Sequence, residues 1–349
     1  MKELDDIFTN LIPNVINVPY INMIYGEKID IIKDYVYPDE ATQIRPGTGK
    51  TGERMPGGAK YIVIHDTGMA PYIYDGAHLN EYIHKQASTI GGRCASWHFS
   101  CGADNIYQHV PTTDQAWHAG DGSCAYGTNH YNEMYKASCI GGGNKNGIGV
   151  ETCINVGSDY IFTLKRAAKL VAQLLIDNNL LLSDIKRHID FSGKECPDII
   201  LNIKGLWETF LKDVETEKKL LEIDPEFSVK WDVDSPYVSK SGKVSPVYID
   251  TPISITAFVT VLGKNYTYQY NSIIKSQKES LVIERIKIDL YNKLPKIVNS
   301  SFDYDTFLAN YTSKNEYNAT IKSWKIKKDI LELDLSLSDN GHLVSTITI

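Results

Sequence analysis

Tyr61-Ile62-Val63-Ile64-His65-Asp66-Thr67 is a short apolar run that closes on a histidine. Its length and its Ile and Val content predict a buried strand over Tyr61–His65, with a polar imidazole at the end. A histidine in that position is by itself more often a hydrogen-bonded packing residue than a ligand. Downstream, Arg187-His188-Ile189-Asp190-Phe191-Ser192-Gly193-Lys194-Glu195-Cys196-Pro197 adds a second imidazole and a thiol. The loop between His188 and Cys196 is short enough for both side chains to meet one ion. Two imidazoles and a soft thiolate favour zinc over magnesium or calcium. Three protein ligands leave one coordination position open, where zinc lowers the pKa of water toward neutrality and prepares it to attack a carbonyl. The expected chemistry is hydrolysis.

Outward from that strand, apolar spacing alternates between two periods. Asp75–Ala87 predicts a helix with Leu79, Tyr82 and Ile83 on one face. Strands are expected at Ser96–Ser100, Ile106–Val110 and Ile148–Ile154, and a long glycine-rich loop at Gly120–Gly147. A loop of that length tends to be functional, and it is expected to wall a cleft. Phe162–Asn178 predicts the clearest helix, its stripe made of Leu164, Ala168, Val171, Leu174 and Leu175. A last helix runs from Ile203 to about Leu221. Interleaved strands and helices imply an α/β domain, a central mixed β-sheet flanked by helices, over residues 1–221 including an N-terminal extension.

After Leu221 cysteine disappears and alternating Val, Ile, Thr and Tyr take over, as in Ile253-Ser254-Ile255-Thr256-Ala257-Phe258-Val259-Thr260-Val261. Turn signals such as Ser241-Gly242-Lys243 separate the runs, so an all-β Ig-like region is expected. A weak echo divides it. Val229-Lys230-Trp231 with Ser241-Gly242-Lys243-Val244-Ser245 recurs as Ile321-Lys322-Ser323-Trp324 with Asn340-Gly341-His342-Leu343-Val344-Ser345. The reading is one Ig-like unit at 222–280 and a second, incomplete or diverged, at 281–349.

The net charge of −7 argues against nucleic acid as a main partner. Apolar runs fall well short of the ~20 residues a spanning helix needs, so no membrane insertion is expected. Met1-Lys2-Glu3-Leu4-Asp5-Asp6 is acidic, which does not read as a secretory signal. Arg45-Pro46-Gly47-Thr48-Gly49-Lys50-Thr51 invites a phosphate-loop reading, but Ile44 stands where that motif needs its first glycine. Of the six cysteines (Cys94, Cys101, Cys124, Cys139, Cys153, Cys196), a metal-bound Cys196 leaves an odd number. Most are expected to be buried thiols. A Cys94–Cys101 bridge is compatible with the spacing but not required by it.

Five segments occur in one order: Ile64-His65-Asp66-Thr67; Ser96-Trp97-His98-Phe99; Ala116-Trp117-His118-Ala119-Gly120; Ile148-Gly149-Val150-Glu151; and His188 with Lys194-Glu195-Cys196-Pro197. Together they resemble the zinc-dependent N-acetylmuramoyl-L-alanine amidase family, which includes phage endolysins, autolysins and peptidoglycan recognition proteins. The resemblance covers residues 55–215. It implies one Zn2+ held by His65, His188 and Cys196, with Glu151 as catalytic carboxylate and Lys194 stabilising the developing oxyanion. It also implies that His118 and Trp97 bind substrate. Trp97 is a departure, because some members carry a catalytic tyrosine there and tryptophan has no phenol. That leaves Glu151, at the end of a strand, as the better proton shuttle. His98 is read as structural, and His78, His84, His109, His130 and His342 as surface or packing residues.

The implied reaction is cleavage of the amide between N-acetylmuramic acid and L-alanine in bacterial peptidoglycan. The Ig-like region would hold the enzyme to the wall or space it from a partner. The expected setting is synthesis in the cytoplasm, with action on the wall after phage or prophage lysis or by non-classical secretion. Two alternatives stay open: a peptidoglycan-binding protein without activity, and a cytosolic amidase that recycles soluble muropeptides. Oligomeric state is not legible.

Overall fold

The computed structural model describes residues 2–36, 53–68, 75–89, 95–119, 142–155, 157–295, 301–314, 319–328, 330–337 and 341–348. The expectations on Arg45–Thr51, most of the Gly120–Gly147 loop, Cys94, Cys124, Cys139 and His130 lie outside the described residues. The chain divides into two compact units. The first is Met1–Pro13, Tyr20–Lys243 and Ser254–Tyr270; the second is Asn14–Pro19, Val244–Ile253 and Asn271–Ile349.

The first unit is built on a six-stranded sheet. Its strands are β1 (Ile31–Lys33), β2 (Tyr61–Asp66), β3 (Phe99–Cys101), β4 (Ile106–Gln108), β5 (Gly147–Thr152) and β6 (Ile185–Arg187). They lie in the order β1-β4-β3-β5-β2-β6, and only β3 and β4 pair antiparallel. The sheet is therefore mixed, as expected. Ile62, Val63 and Ile64 of β2 are all fully buried, which explains the unbroken apolar run: a strand covered on both faces has no polar side to present. β1 comes from the N-terminal extension, where its short, partly exposed Ile-Ile-Lys gave no periodic signal.

Helices cover this sheet. Gly76–Ala87 is capped by Asp75, which accepts from His78 N, and it buries Leu79, Ile83 and Ala87 against Val36, Trp97 and Cys153. Tyr160–Asp177 is capped by Asp159, which accepts from Ile161 N and Phe162 N, and its buried positions include the expected stripe. It pairs with Leu206–Ile223 through a buried Lys165–Asp213 ion pair of 2.8 Å. The same helix pins the N-terminal extension. Glu217 Oε1 accepts from Tyr25 N at 3.0 Å and Gly26 N at 3.4 Å, and burial pushes its carboxyl up to about 7. Gly26 sits at φ +59°, and a Cβ there would fall 2.4 Å from Val229 Cβ, so only glycine fits.

Beyond residue 222 the all-β Ig-like expectation needs correction. Ser228–Val233 pairs antiparallel with residues 255–260 of the strand Thr251–Val261. A tight turn at Leu262 and Gly263, both at positive φ, leads into Lys264–Ile274. Two helices then follow, Lys278–Lys293 and Tyr304–Lys314. In the second unit Ile286, Leu290, Leu294, Tyr304, Leu308 and Tyr311 form one core with Leu331, Leu333 and Leu335. Those leucines alternate along Ile330–Leu337, the middle strand of an antiparallel sheet with Ala319–Lys327 and Gly341–Thr348. Lys278–Lys293 is helical because Val282, Ile286 and Leu290 recur every fourth residue, a helical period that its Val- and Ile-rich surroundings obscured. The echoed motifs are not equivalent either: Gly242 occupies a left-handed turn at φ +82°, whereas Gly341 begins a strand. Among the described residues, no helix is long and apolar enough to cross a membrane.

Candidate metal centre

The site lies at the carboxyl ends of parallel strands, where open α/β sheets characteristically place their ligands. His65 is the penultimate residue of β2. β6 runs directly into the short helix His188–Ser192, so His188 is that helix's first residue. Asp190 fixes the junction: its Oδ2 accepts from Arg187 N and its Oδ1 from the Arg187 guanidinium, both at 2.8 Å. Gly193, at φ +75°, ends the helix in the left-handed conformation that suits glycine. Ile189 N then donates to Cys196 O at 3.0 Å, which folds the loop back over His188.

This folding brings three buried donors together, the one such group among the described residues: His65, His188 and Cys196, all within 4.8 Å of one another. His65 Nδ1 is 3.1 Å from His188 Nδ1 and 3.8 Å from Cys196 Sγ. A tetrahedral zinc, with Zn–N of ~2.0–2.1 Å and Zn–S of ~2.3 Å, separates such atoms by ~3.3–3.6 Å. The observed spacings bracket that range, so the residues fit the ion. The electrostatics agree. Burial, and then the neighbouring His188, His118 and Lys194, hold His65 well below its ordinary pKa, so its ring is neutral and can ligate. Burial, and then Glu151 and Asp66, push the Cys196 thiol well above its usual value; a cation at the site would reverse that.

Glu151 sits beside this group. It pairs in register with His65 across β5 and β2, and its Oε1 is 3.9 Å from His65 Nδ1. Lys194 is half-buried in the loop before Cys196, and its charge acts on both His65 and Cys196. His118 also joins the group, but from behind: its Nδ1 is 3.0 Å from His65 Nε2. Trp97 is not brought to the site. It is 7% exposed within the core under the Gly76–Ala87 helix, and its Nε1 donates to Ser100 Oγ at 2.8 Å. Being large and apolar, it packs there and leaves no face for substrate. His98 is structural as expected: Nδ1 accepts from Gly149 N, and Nε2 donates to Asp114 O.

The sequence reading missed two residues at the site. Asn144 Oδ1 accepts from His118 N and Ala119 N, both at 2.8 Å. Asp66 Oδ2 accepts from Ile199 N at 3.0 Å, and its carbonyl lies 3.9 Å from Cys196 Sγ. Asn144 lies in none of the five matched segments, and Asp66 stands in the first of them with no role assigned to it. One signal was available, the glycine inside the strand pattern at Gly149: a Cβ there would lie 2.9 Å from the His118 ring, and an isolated strand glycine often marks such a close approach.

Residues 54–199 match the family model described as N-acetylmuramoyl-L-alanine amidase. The N-acetylmuramoyl-L-alanine amidase XlyA of Bacillus subtilis (strain 168) is 31% identical over 182 residues, covering 52% of this chain and 50% of XlyA. CwlH of the same strain, another such amidase, is 33% identical over 156 residues, covering 45% of this chain and 53% of CwlH. The chain thus spans about half the length of the curated relatives it matches. The solved catalytic domain of XlyA aligns at 30% identity over 53% of this chain and 99% of that domain, with a TM-score of 0.42.

Proposed function

We propose, from the match of residues 54–199 to the N-acetylmuramoyl-L-alanine amidase family model, that the chain hydrolyses the amide joining the lactyl group of N-acetylmuramic acid to L-alanine in peptidoglycan. The observation that carries the reading is the convergence of His65, His188 and Cys196 with Glu151 alongside.

His65, His188 and Cys196 would hold the metal. A bound zinc supplies Lewis acidity toward the scissile carbonyl and lowers the pKa of water. Glu151, level with His65 at the strand ends, takes a proton from the attacking water and returns it to the departing amine of L-alanine. Lys194 places positive charge where the carbonyl oxygen becomes negative. The products are a free lactyl carboxylate and a peptide with a free amino terminus. Residues 222–349 are read as the part that holds the enzyme on its polymer.

Mass spectrometry of purified cell wall digested with the protein tests this. The expected products are lactyl-terminated glycan and stem peptides beginning with free L-alanine. Intact wall, or cleavage confined to glycosidic or peptide cross-link bonds, would overturn the reading. Turnover of soluble muropeptides alone would move the substrate to the recycling alternative.

A further inference from the structure

We infer that His118 is a positioning residue: it accepts the Nε2 proton of His65 and so leaves the His65 Nδ1 lone pair facing His188 and Cys196. A neutral imidazole offers one donor and one acceptor, and a hydrogen bond at one nitrogen assigns the other. His118 Nε2 lies 3.0 Å from Gly147 O, which can only accept, so the His118 proton is on Nε2. His118 Nδ1 is therefore an acceptor. It faces His65 Nε2 at 3.0 Å, which places the His65 proton on Nε2 and leaves Nδ1 bare. That bare nitrogen is the one 3.1 Å from His188 Nδ1 and 3.8 Å from Cys196 Sγ.

With both ring nitrogens bonded in this relay from Gly147 through His118 to His65, His118 has no ring nitrogen left to hydrogen-bond substrate. Its own placement comes from three features of one short segment. Asn144 Oδ1 holds the His118 and Ala119 amides, Gly147 O holds Nε2, and Gly149 provides the missing Cβ volume in which the ring sits. That segment leads into β5, which pairs with β2 residue by residue from Tyr61↔Gly147 to His65↔Glu151. The sheet ladder thus carries both the ligand and the residue that orients it. Removing such an outer partner typically weakens metal binding by ~10–100-fold.

The inference rests on the proposed function only for the identity of the ion, and three measurements on the full chain separate the two. The first is zinc affinity by chelator competition. His118→Phe keeps ring volume but removes the acceptor, and it is expected to bind zinc ~10–100-fold more weakly than the unaltered protein. His118→Asn returns an amide oxygen close to the former Nδ1 and is expected to recover most of that loss. The second is 15N NMR of the unaltered, metal-free protein, which is expected to show His65 protonated on Nε2. This reading holds even if the Phe variant fails to fold. Undiminished zinc affinity in a folded His118→Phe protein, or a His65 proton on Nδ1, would overturn the inference. The third is the wall digest: zinc binding with the expected histidine tautomer but intact wall would overturn the hydrolase reading and leave this one standing.

Discussion

Glu151 stands level with His65 on the neighbouring parallel strand, its Oε1 3.9 Å from His65 Nδ1. Adjacent strands keep a spacing of ~4.8 Å, so the carboxylate is held beside the metal donors by the sheet itself. Glu151→Gln keeps the shape and removes the proton acceptor. It is expected to lower kcat on wall substrate by ~10²–10⁴-fold while zinc affinity changes only a few-fold. Chelator competition alongside turnover checks this. Loss of zinc in step with activity would make Glu151 a ligand rather than a base.

The pKa values of Cys196 and His65 are shifted in opposite directions, and this is expected to set the pH dependence of metal binding. His65 is held below its usual value, so at neutral pH its ring is neutral and no proton must leave its ligating nitrogen; the Cys196 thiol is pushed up and still holds one. Zinc must displace that proton, so affinity is expected to rise with pH until the thiol titrates, with about one proton released per ion. Calorimetry in buffers of different ionisation enthalpy measures the release. Cys196→Ser should weaken binding severely and flatten the pH dependence.

Gly149 leaves room for the His118 ring. Gly149→Ala would put a Cβ 2.9 Å from His118 Cγ and Nδ1, so the ring or the strand must shift. The expected cost is ~1–3 kcal/mol in stability by overpacking. A weakened zinc site should accompany it, read by thermal unfolding and metal titration of the same sample. Unchanged zinc affinity would mean that β5 moves and His118 does not.

Glu217 gives the fold a pH signature. Its carboxyl, pushed up by burial to about 7 against an ordinary 4.5, keeps its proton in the folded state where the unfolded chain has lost it. The resulting stabilisation is complete below the ordinary value and fades as pH rises through about 7. Glu217→Gln preserves the Oε1 acceptor for Tyr25 and Gly26 and carries no charge. It is expected to raise stability at pH ~8 by on the order of 2 kcal/mol and to have little effect at pH ~5. Denaturant unfolding at the two values checks this.

The metal donors were legible because each stood at a break in a strong local pattern. His65 closes an apolar run, and Cys196 follows His188 across a loop marked by glycine and proline. The helix Tyr160–Asp177 was legible from one stripe, since its apolar spacing has no competing period. The helix Lys278–Lys293 was not, because β-branched Val282, Ile286 and Ile288 favour strands locally while tertiary burial of Ile286 and Leu290 fixes the helix. Trp97 was misplaced because sequence gives its position on a strand but not which face the core takes. The role of Asn144 depends on two backbone amides far away in sequence, which no spacing records.

His65 and His188 meet across 123 positions of chain. An ion gripping both, and Cys196 as well, acts as a fastener on a tie that the unfolded polymer cannot make. If zinc fills the site as proposed, apparent stability is expected to rise as the logarithm of free zinc above its dissociation constant. A protein stripped by chelators should yield to heat and protease sooner, beginning where β2 meets the His188 loop.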